Sequence, residues 1–275
     1  MMGPLATVGQ VFDAIQSVKS RAPEFCTNFF PPQRKMQGWI DHGELLGEVR
    51  NRAAFFLRKD RDFWHLYFCA ANHESLAREI TGLPELKNEP VAVDLIGNEV
   101  VSNDLSNLLQ SEGFRPYRTL YRMARIRQSD SPASGAGSAS VDYAMSSDAP
   151  VIWELLGRTF DRYAEQLPAL YEIETAIDHH QILTAKHNGA LAGLLFFETQ
   201  GLTSTVRYWL VDEPFRAFRF GSALMQRYFA AQSAVRRFVL WVLSDNESAL
   251  QKYRHYGYAA DGLVDRVLLN RIIQA

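Results

Sequence analysis

Two short stretches of the sequence carry side chains suited to holding an anion and protonating a leaving group. The first is DEPFRAFRFGSALMQ, residues 212–226, a basic turn between a strand-like run, TVRYWLV, and a helix-like run, GSALMQRYFAAQ. A helix beginning near Gly221 presents unpaired backbone N–H groups and a partial positive charge, a ready anion site. Gly221 has no side chain to block close approach of a ligand. Ser222 adds a hydroxyl, and Arg216 and Arg219 add cationic hydrogen-bond donors. The set suits a pyrophosphate better than a base or a sugar, although many strand-to-helix loops share some of it. The second stretch is NESALQKYRHYGY, residues 246–258, where Tyr253 lies on a short amphipathic helix. Taken alone, Tyr253 reads as a tyrosine packed against a sheet.

The elements that must position these residues follow from periodicity. After residue 140 the pattern is a short strand VDYAM, a helix APVIWELLGRTF capped by Asp148, and a helix LPALYEIETAI. Three strands follow, QILTAKHN, ALAGLLFFETQ and STVRYWLV, the first two joined by a turn at His187–Asn188–Gly189. After the basic turn come a helix, the strand RRFVLWVLS, the helix NESALQKYRHYG and a last strand near LVDRVLLNRI. This α/β order mixes hairpins with a β-α-β unit, so it predicts a mixed sheet with helices on its faces. The first half echoes its closing part. RAAFFLRKDRDFWHLYFCA reads as a hairpin, ANHESLAREITGL as a helix, VAVDLI as a strand and NDLSNLLQSEGF as a helix followed by RTLYRMARI. A strand, a helix ending in Gly-aromatic and another strand thus occur twice, which reads as a divergent duplication. Val8, Val11, Phe12, Ile15 and Val18 add an amphipathic helix near the start. Between the halves, QSDSPASGAGSAS (128–140) has the composition of a linker, giving domains 1–127 and 141–275.

Composition bounds the class. With 47% hydrophobic and 22% charged residues and a net charge of −2, the chain reads as globular, with no general attraction to nucleic acid or to a membrane. No apolar run reaches the length of a bilayer span, and the first twenty residues lack a signal-peptide core. Cys26 and Cys69 are too few for a disulfide framework or a zinc site, Cys69 reads as a buried thiol, and a reducing cytoplasm is expected. His42, His65, His73, His187 and His255 show no metal spacing, and no metal is expected.

The loop PFRAFRFGSALM resembles the cofactor loop of the GNAT superfamily of N-acetyltransferases, Arg/Gln-x-x-Gly-x-Gly/Ala. Arg216 takes the first position and Gly221 the last, while Arg219 replaces the middle glycine. In NESALQKYRHYGY, Asn246, Ala249, Tyr253, Gly257 and Tyr258 match the superfamily's second signature. The resemblance covers roughly residues 140–273 and implies two GNAT-like domains, the second holding acetyl-CoA between a splayed pair of strands. It implies that Arg216, Arg219, Gly221 and Ser222 cradle the pyrophosphate, with Phe220, Phe215 and Phe218 as aromatics that either line the acyl or adenine end of the cofactor site or pack in the core. Backbone near Leu210 and Val211 would hold the pantetheine arm, and Asn246 would contact it further along. Tyr253 takes the position of the general acid for the CoA thiolate. The base is not legible: Glu198, Asp212, Glu213, His179 and His180 are all candidates, and a water chain could replace them.

The N-terminal half lacks the loop's glycine and arginine. Counting back from Gly113, Leu109 stands where Tyr253 does, and Asn103 stands one residue out of register with Asn246. This half is expected to bind no CoA, and instead to wall the acceptor site, stiffen the other half or mediate a homodimer. The expected activity is transfer of an acetyl group from acetyl-CoA to a primary amine of a small molecule by direct attack in a ternary complex. The rivals are a non-catalytic CoA-binding sensor and a two-domain aminoacyl transferase.

Overall fold

In the computed structural model the described residues are 2–22, 24–83, 86, 89–127 and 141–270. The expected linker, 128–140, lies outside them. The chain divides into two compact units, Met1–Leu120 with Gly262–Ala275, and Tyr121–Asp261. Compactness therefore groups the chain differently from the sequence halves, because the last strand joins the first unit.

Unit 1 runs β1 (Gly3–Pro4), α1 (Val8–Lys19), β2 (Cys26–Thr27), α2 (Gln33–Asp41), β3 (Leu45–Val49), β4 (Ala53–Asp60), β5 (Phe63–Ala70), α3 (His73–Ile80), β6 (Val91–Gly97) and α4 (Glu99–Ser111). The strand β7 (Arg115–Ile126) begins in this unit and ends in unit 2. Unit 2 continues with β8 (Val141–Tyr143), α5 (Ala149–Thr159), α6 (Leu170–Asp178), β9 (Ile182–His187), β10 (Ala190–Gln200), β11 (Thr203–Val211), α7 (Phe220–Ala231), β12 (Arg237–Leu243) and α8 (Glu247–His255). The strand β13 (Ala259–Leu269) starts in unit 2 and returns to unit 1, where it pairs antiparallel with β6.

The sheet order is β1-β3-β4-β5-β6-β13 in unit 1, with β2 also on β5, and β7-β12-β11-β10-β9-β8 in unit 2. Each sheet is mostly antiparallel, with a parallel pair at β5/β6 and at β11/β12. The two faces of each sheet bury two apolar layers. In unit 2, Leu224, Met225 and Tyr228 of α7 and Leu250 and Tyr253 of α8 pack on Leu195, Phe197 and Val206. On the other face, Ile152, Leu155 and Leu156 of α5 and Ile173 and Ile177 of α6 pack on Leu194, Phe196 and Tyr208. Unit 1 repeats the layout, with α3 and α4 on Phe55, Leu66 and Phe68, and α1 and α2 on Phe56, Tyr67 and Cys69. Spacings of three and four residues on each helix supply the apolar stripe that drives this packing. Phe12, expected on the buried face of α1, is exposed.

Local signals account for the turns. Asn188 and Gly189 take positive φ (51° and 81°), as a two-residue hairpin requires. Asp148 does not cap α5 as expected. Its carboxylate accepts from Met145 N–H (2.9 Å), closing the preceding 3₁₀ turn, and pairs with Lys186 (2.8 Å). Elements α2, β1, β2 and β3, absent from the periodicity, complete unit 1.

Candidate active site

The site in unit 2 begins with a break in β11. Phe196 lies opposite Tyr208, but Phe197 lies opposite Val206, so Arg207 is an extra residue forming a β-bulge. Packing registers the break: Val206 joins the core beneath α7 and α8, whereas Tyr208 and Leu210 join the core beneath α5 and α6. Without a bulge all three would share a face. The parallel pairing of β11 with β12 covers only 203–206 with 237–240. The strands part where the bulge sits.

Past the bulge, β11 keeps β10 on one side only. Asp212 N–H donates to Ala192 O (2.9 Å). Ladder alternation then turns the backbone of Tyr208 and Leu210 toward β10, and that of Trp209 and Val211 toward the gap beside β12. Of the expected pair, Val211 therefore presents its backbone there and Leu210 does not. The Leu210 carbonyl stands 2.7 Å from where a Cβ at residue 193 would lie, so Gly193 is required by close strand approach. Trp209 shares the orientation of Val211.

The loop after β11 is shaped by Asp212, whose carboxylate accepts from Glu213 N–H (3.0 Å) at the start of a 3₁₀ turn over Glu213–Phe218. Arg219 then takes φ 58° and ψ 18°. The arginine in place of glycine thus adopts the left-handed conformation itself, at a cost of about 1 kcal/mol. No side chain caps α7, and its first helical bond is Ala223 N–H to Arg219 O (3.3 Å). The N–H groups of Phe220, Gly221 and Ser222 are thereby left at the helix end, where an anion is favoured. Arg216 and Arg219 are exposed beside it, with Arg216 only 3.8 Å from Glu213. The Ser222 hydroxyl accepts from the Tyr256 hydroxyl (3.2 Å) or donates to it. The Phe220 side chain is buried in the core, the alternative its sequence context left open, and its backbone N–H stands at the helix end. Phe218 is exposed and stacks on Phe220, with His187 packed 4.6 Å from it.

Asn246 caps α8, its side-chain oxygen accepting from Ala249 N–H (3.1 Å). Tyr253, two turns on, is buried, with its ring 5.6 Å from that of Trp209 and 6.0 Å from that of Tyr258. Burial pushes its phenol well above the ordinary 10, and the negative charge of Glu165 pushes it the same way. The group stays protonated at neutral pH, as a proton donor must.

The acidic candidates from the sequence are engaged elsewhere. Asp212 pairs with Arg158 (2.6 Å), Glu213 is exposed beside Arg216, and Glu198 lies 4.0 Å from Arg207. His179 Nδ1 sits 2.7 Å from Thr175 O, and His180 packs edge-on against Tyr143. Sequence reasoning missed Glu165, in the loop between α5 and α6. The buried Tyr208 hydroxyl ties this loop to β11 by donating to Glu165 O (3.0 Å) and Gln166 O (2.7 Å). Gln166 takes a positive φ of 44° there. No spacing rule connects 165 to 208 and 253, which is why the sequence concealed it.

Unit 1 holds the same parallel pair without the same opening. β5 pairs with β6 only at 64–65 and 91–92. Beyond that point the Asn28 carboxamide bridges the strands, donating to Leu66 O (3.0 Å) and Asp94 O (3.0 Å) and accepting from Phe68 N–H (2.7 Å). β2 lies alongside β5, Cys26 opposite Ala70 and Thr27 opposite Cys69. The β4–β5 register has no bulge. The N-terminus of α3 is capped by Asn72, which accepts from Ser75 N–H (2.8 Å). The residue matching Asn246 is Asn98, which caps α4 through Val101 N–H (2.9 Å), since α4 is 13 residues long against 9 in α8. Asn103 is exposed in mid-helix, and Leu105 and Leu109 are both buried leucines.

With the bulged strand, its parting from β12 and the uncapped helix in place, residues 149–258 match the acetyltransferase (GNAT) family. These residues form a GNAT domain, in a family of acyl-CoA-dependent N-acyltransferases. The fold of the whole chain is that of a tandem GNAT protein. A tandem GNAT protein from the clavulanic acid biosynthesis pathway shares 13% identity with a TM-score of 0.64, over 100% of this chain and 99% of that one. A GCN5-related N-acetyltransferase from Sphaerobacter thermophilus shares 16% identity with a TM-score of 0.60, over 98% and 93%. A GNAT-family acetyltransferase from Colwellia psychrerythraea shares 9% identity with a TM-score of 0.56, over 98% of both chains. No curated protein matches the sequence. Among the described residues no helix is long and apolar enough to cross a membrane, and no group of three or more His, Cys, Asp or Glu is placed to hold a metal ion.

Proposed function

We propose that unit 2 transfers an acetyl group from acetyl-CoA to a primary amine of a small molecule, by direct attack in a ternary complex. The observation that carries this reading is the uncapped N-terminus of α7, flanked by Arg216 and Arg219, beside backbone of Trp209 and Val211 that no strand among the described residues pairs. The donor set fits acetyl-CoA. The N–H groups of 220–222 and the two guanidinium groups take the pyrophosphate, and the backbone of Val211 takes an amide of the pantetheine arm. The arm supplies a thioester carbonyl near Tyr253.

Glu165, whose carboxylate accepts from Asp161 N–H (2.8 Å), puts negative charge near Tyr253 that attracts the incoming ammonium. That ammonium must shed a proton before its nitrogen lone pair can attack, since alkylamines titrate near 10. A C–N bond forms, the C–S bond breaks, and Tyr253 gives its proton to the departing sulfur. The nitrogen's second surplus proton restores the phenol, so one proton leaves to solvent for each amide made.

Calorimetry with acetyl-CoA tests the first half of this reading. The wild type should bind one equivalent with micromolar affinity. Gly221→Glu, which sets a carboxylate among the phosphate donors, should abolish binding, whereas Gly221→Ala, whose Cβ would meet Trp209 at an ordinary 3.4 Å, should retain it. A wild type that binds no acyl-CoA would sink the acyltransferase reading. Thiol release across a panel of primary amines then tests the second half.

A further inference from the structure

Trp209 carries a buried polar atom that nothing in the fold uses. Among the described residues its indole Nε1–H has no hydrogen-bond partner. An orphaned donor of this kind costs about 1–3 kcal/mol, so its position matters. Trp209 is the first residue past the bulge whose backbone turns to the gap between β11 and β12. Its ring edge, Cζ2 and Cε2, lies 3.4 and 3.8 Å from where a Cβ at Gly221 would stand. Nε1 is bonded to Cε2. The same ring lies 5.6 Å from both Tyr253 and Tyr256. The orphaned N–H therefore sits between the uncapped end of α7 and Tyr253 on α8.

We propose that the Trp209 indole N–H is a cofactor-binding donor, taking an oxygen of acyl-CoA where the pantetheine arm meets the pyrophosphate. Ligand binding completes its hydrogen bonding, and Gly221, having no side chain, sets no Cβ against the ring edge. The proposal rests on the acyl-CoA reading above.

Indole N–H resonances of the ¹⁵N-labelled full-length protein test it, with the Trp209 signal among five tryptophans assigned by its loss in Trp209→Phe, or in Trp209→Tyr if the first does not fold. Acetyl-CoA should move that signal downfield, and Trp209→Phe should weaken acetyl-CoA binding roughly 5- to 10-fold. Adenosine diphosphate and pantetheine, titrated separately, distinguish a phosphate oxygen from an amide oxygen; a shift with either supports the donor role. Acetyl-CoA that binds by calorimetry while none of the five signals moves overturns the proposal and leaves the acyl-CoA reading intact. So does a Trp209 signal held upfield by the Tyr256 ring both with and without ligand. Failure of calorimetric binding overturns both.

Discussion

The two parallel strand pairs, β5/β6 and β11/β12, start alike and end differently. In each, the first strand runs five residues beyond its last parallel partner, 66–70 in one and 207–211 in the other. In unit 1 the chain fills the opening with its own Asn28, whose carboxamide is an amide of the kind pantetheine carries. It makes three hydrogen bonds to the parted strands. In unit 2 a bulge at Arg207 turns Trp209 and Val211 to the opening and no segment of the described chain pairs with them. The helix ends differ likewise, Asn72 capping α3 and no side chain capping α7. Unit 1 thus satisfies from within the backbone polar groups that the corresponding opening of unit 2 leaves without a partner strand among the described residues.

The largest expected effect separates the units by chemistry. Tyr253→Phe should lower kcat roughly 100-fold or more, as for loss of a positioned acid, with acetyl-CoA affinity and Tm unchanged because the ring contacts survive. A variant with full kcat would remove Tyr253 from the mechanism.

Next in size is the plug. Asn28→Ala leaves two carbonyls and one N–H buried without partners, costing about 3 kcal/mol at roughly 1 kcal/mol each. Unfolding of unit 1 should move down by several degrees while acetyl-CoA stoichiometry stays at one per chain, since α3 remains capped. A second equivalent bound by this variant would mean that Asn28 alone closes the first opening.

Unit 1 also carries a buried charge cluster. His65, the last parallel-paired residue of β5, lies between Asp60 (3.3 Å) and Asp94 (3.5 Å), with Arg58 and Asp265 buried nearby. Burial alone would lower the imidazole's pKa, but the two carboxylates outweigh it and hold the value above 6.5. Burial and the Asp94 charge push the Asp265 carboxyl well above its ordinary 3.8. Both groups bind protons more tightly when folded. His65 thus contributes stability that is complete below pH 6.5 and is lost as pH rises through its folded value, and Asp265 acts with the same sign from a lower starting pH. Asp60, held low by its cationic neighbours, acts oppositely, and only in acid. Stability of unit 1 should therefore fall above pH 6.5, by at most about 1.4 kcal/mol per pH unit for the His65 proton. His65→Gln should flatten that slope in thermal melts; an unchanged slope would assign it to other groups.

Legibility followed the range of the signals. The basic turn, the helix around Tyr253, the NG hairpin and the duplication were legible because each is written in neighbouring residues. The bulge was not, since β11 alternates buried and half-buried residues throughout and only the pairing partners reveal that the faces switch at Arg207. Nor was Asn28, whose partners lie 38 to 66 residues away. Glu165 and Trp209 share that character, being ordinary residues until a hydroxyl 43 positions on, or a strand that parts, gives them a place. Phe220 was legible only as an aromatic with two possible places, because a helix's first residue can offer its backbone at the helix end while its side chain packs inward.

The smallest effect tests the feature that distinguishes this loop from its relatives. Arg219 holds a left-handed backbone that costs a side-chain-bearing residue about 1 kcal/mol, and its guanidinium stands beside the uncapped helix end. Arg219→Gly removes the strain and the cation together, so stability and binding should move in opposite directions. Relief of strain is offset in part by the greater freedom of glycine in the unfolded chain, and Tm should rise by no more than a degree or two, a net gain of under roughly 1 kcal/mol. Acetyl-CoA should bind a few-fold more weakly, and the loss should shrink as salt rises, because a charge-to-phosphate contact at an exposed site is screened. Arg219→Lys separates the two terms: it keeps the strain and most of the charge, so Tm should match the wild type and affinity should fall less than for glycine. If glycine instead tightens binding, the arginine is a tolerated replacement at a backbone position, and the phosphates are held by the helix end and Arg216 alone.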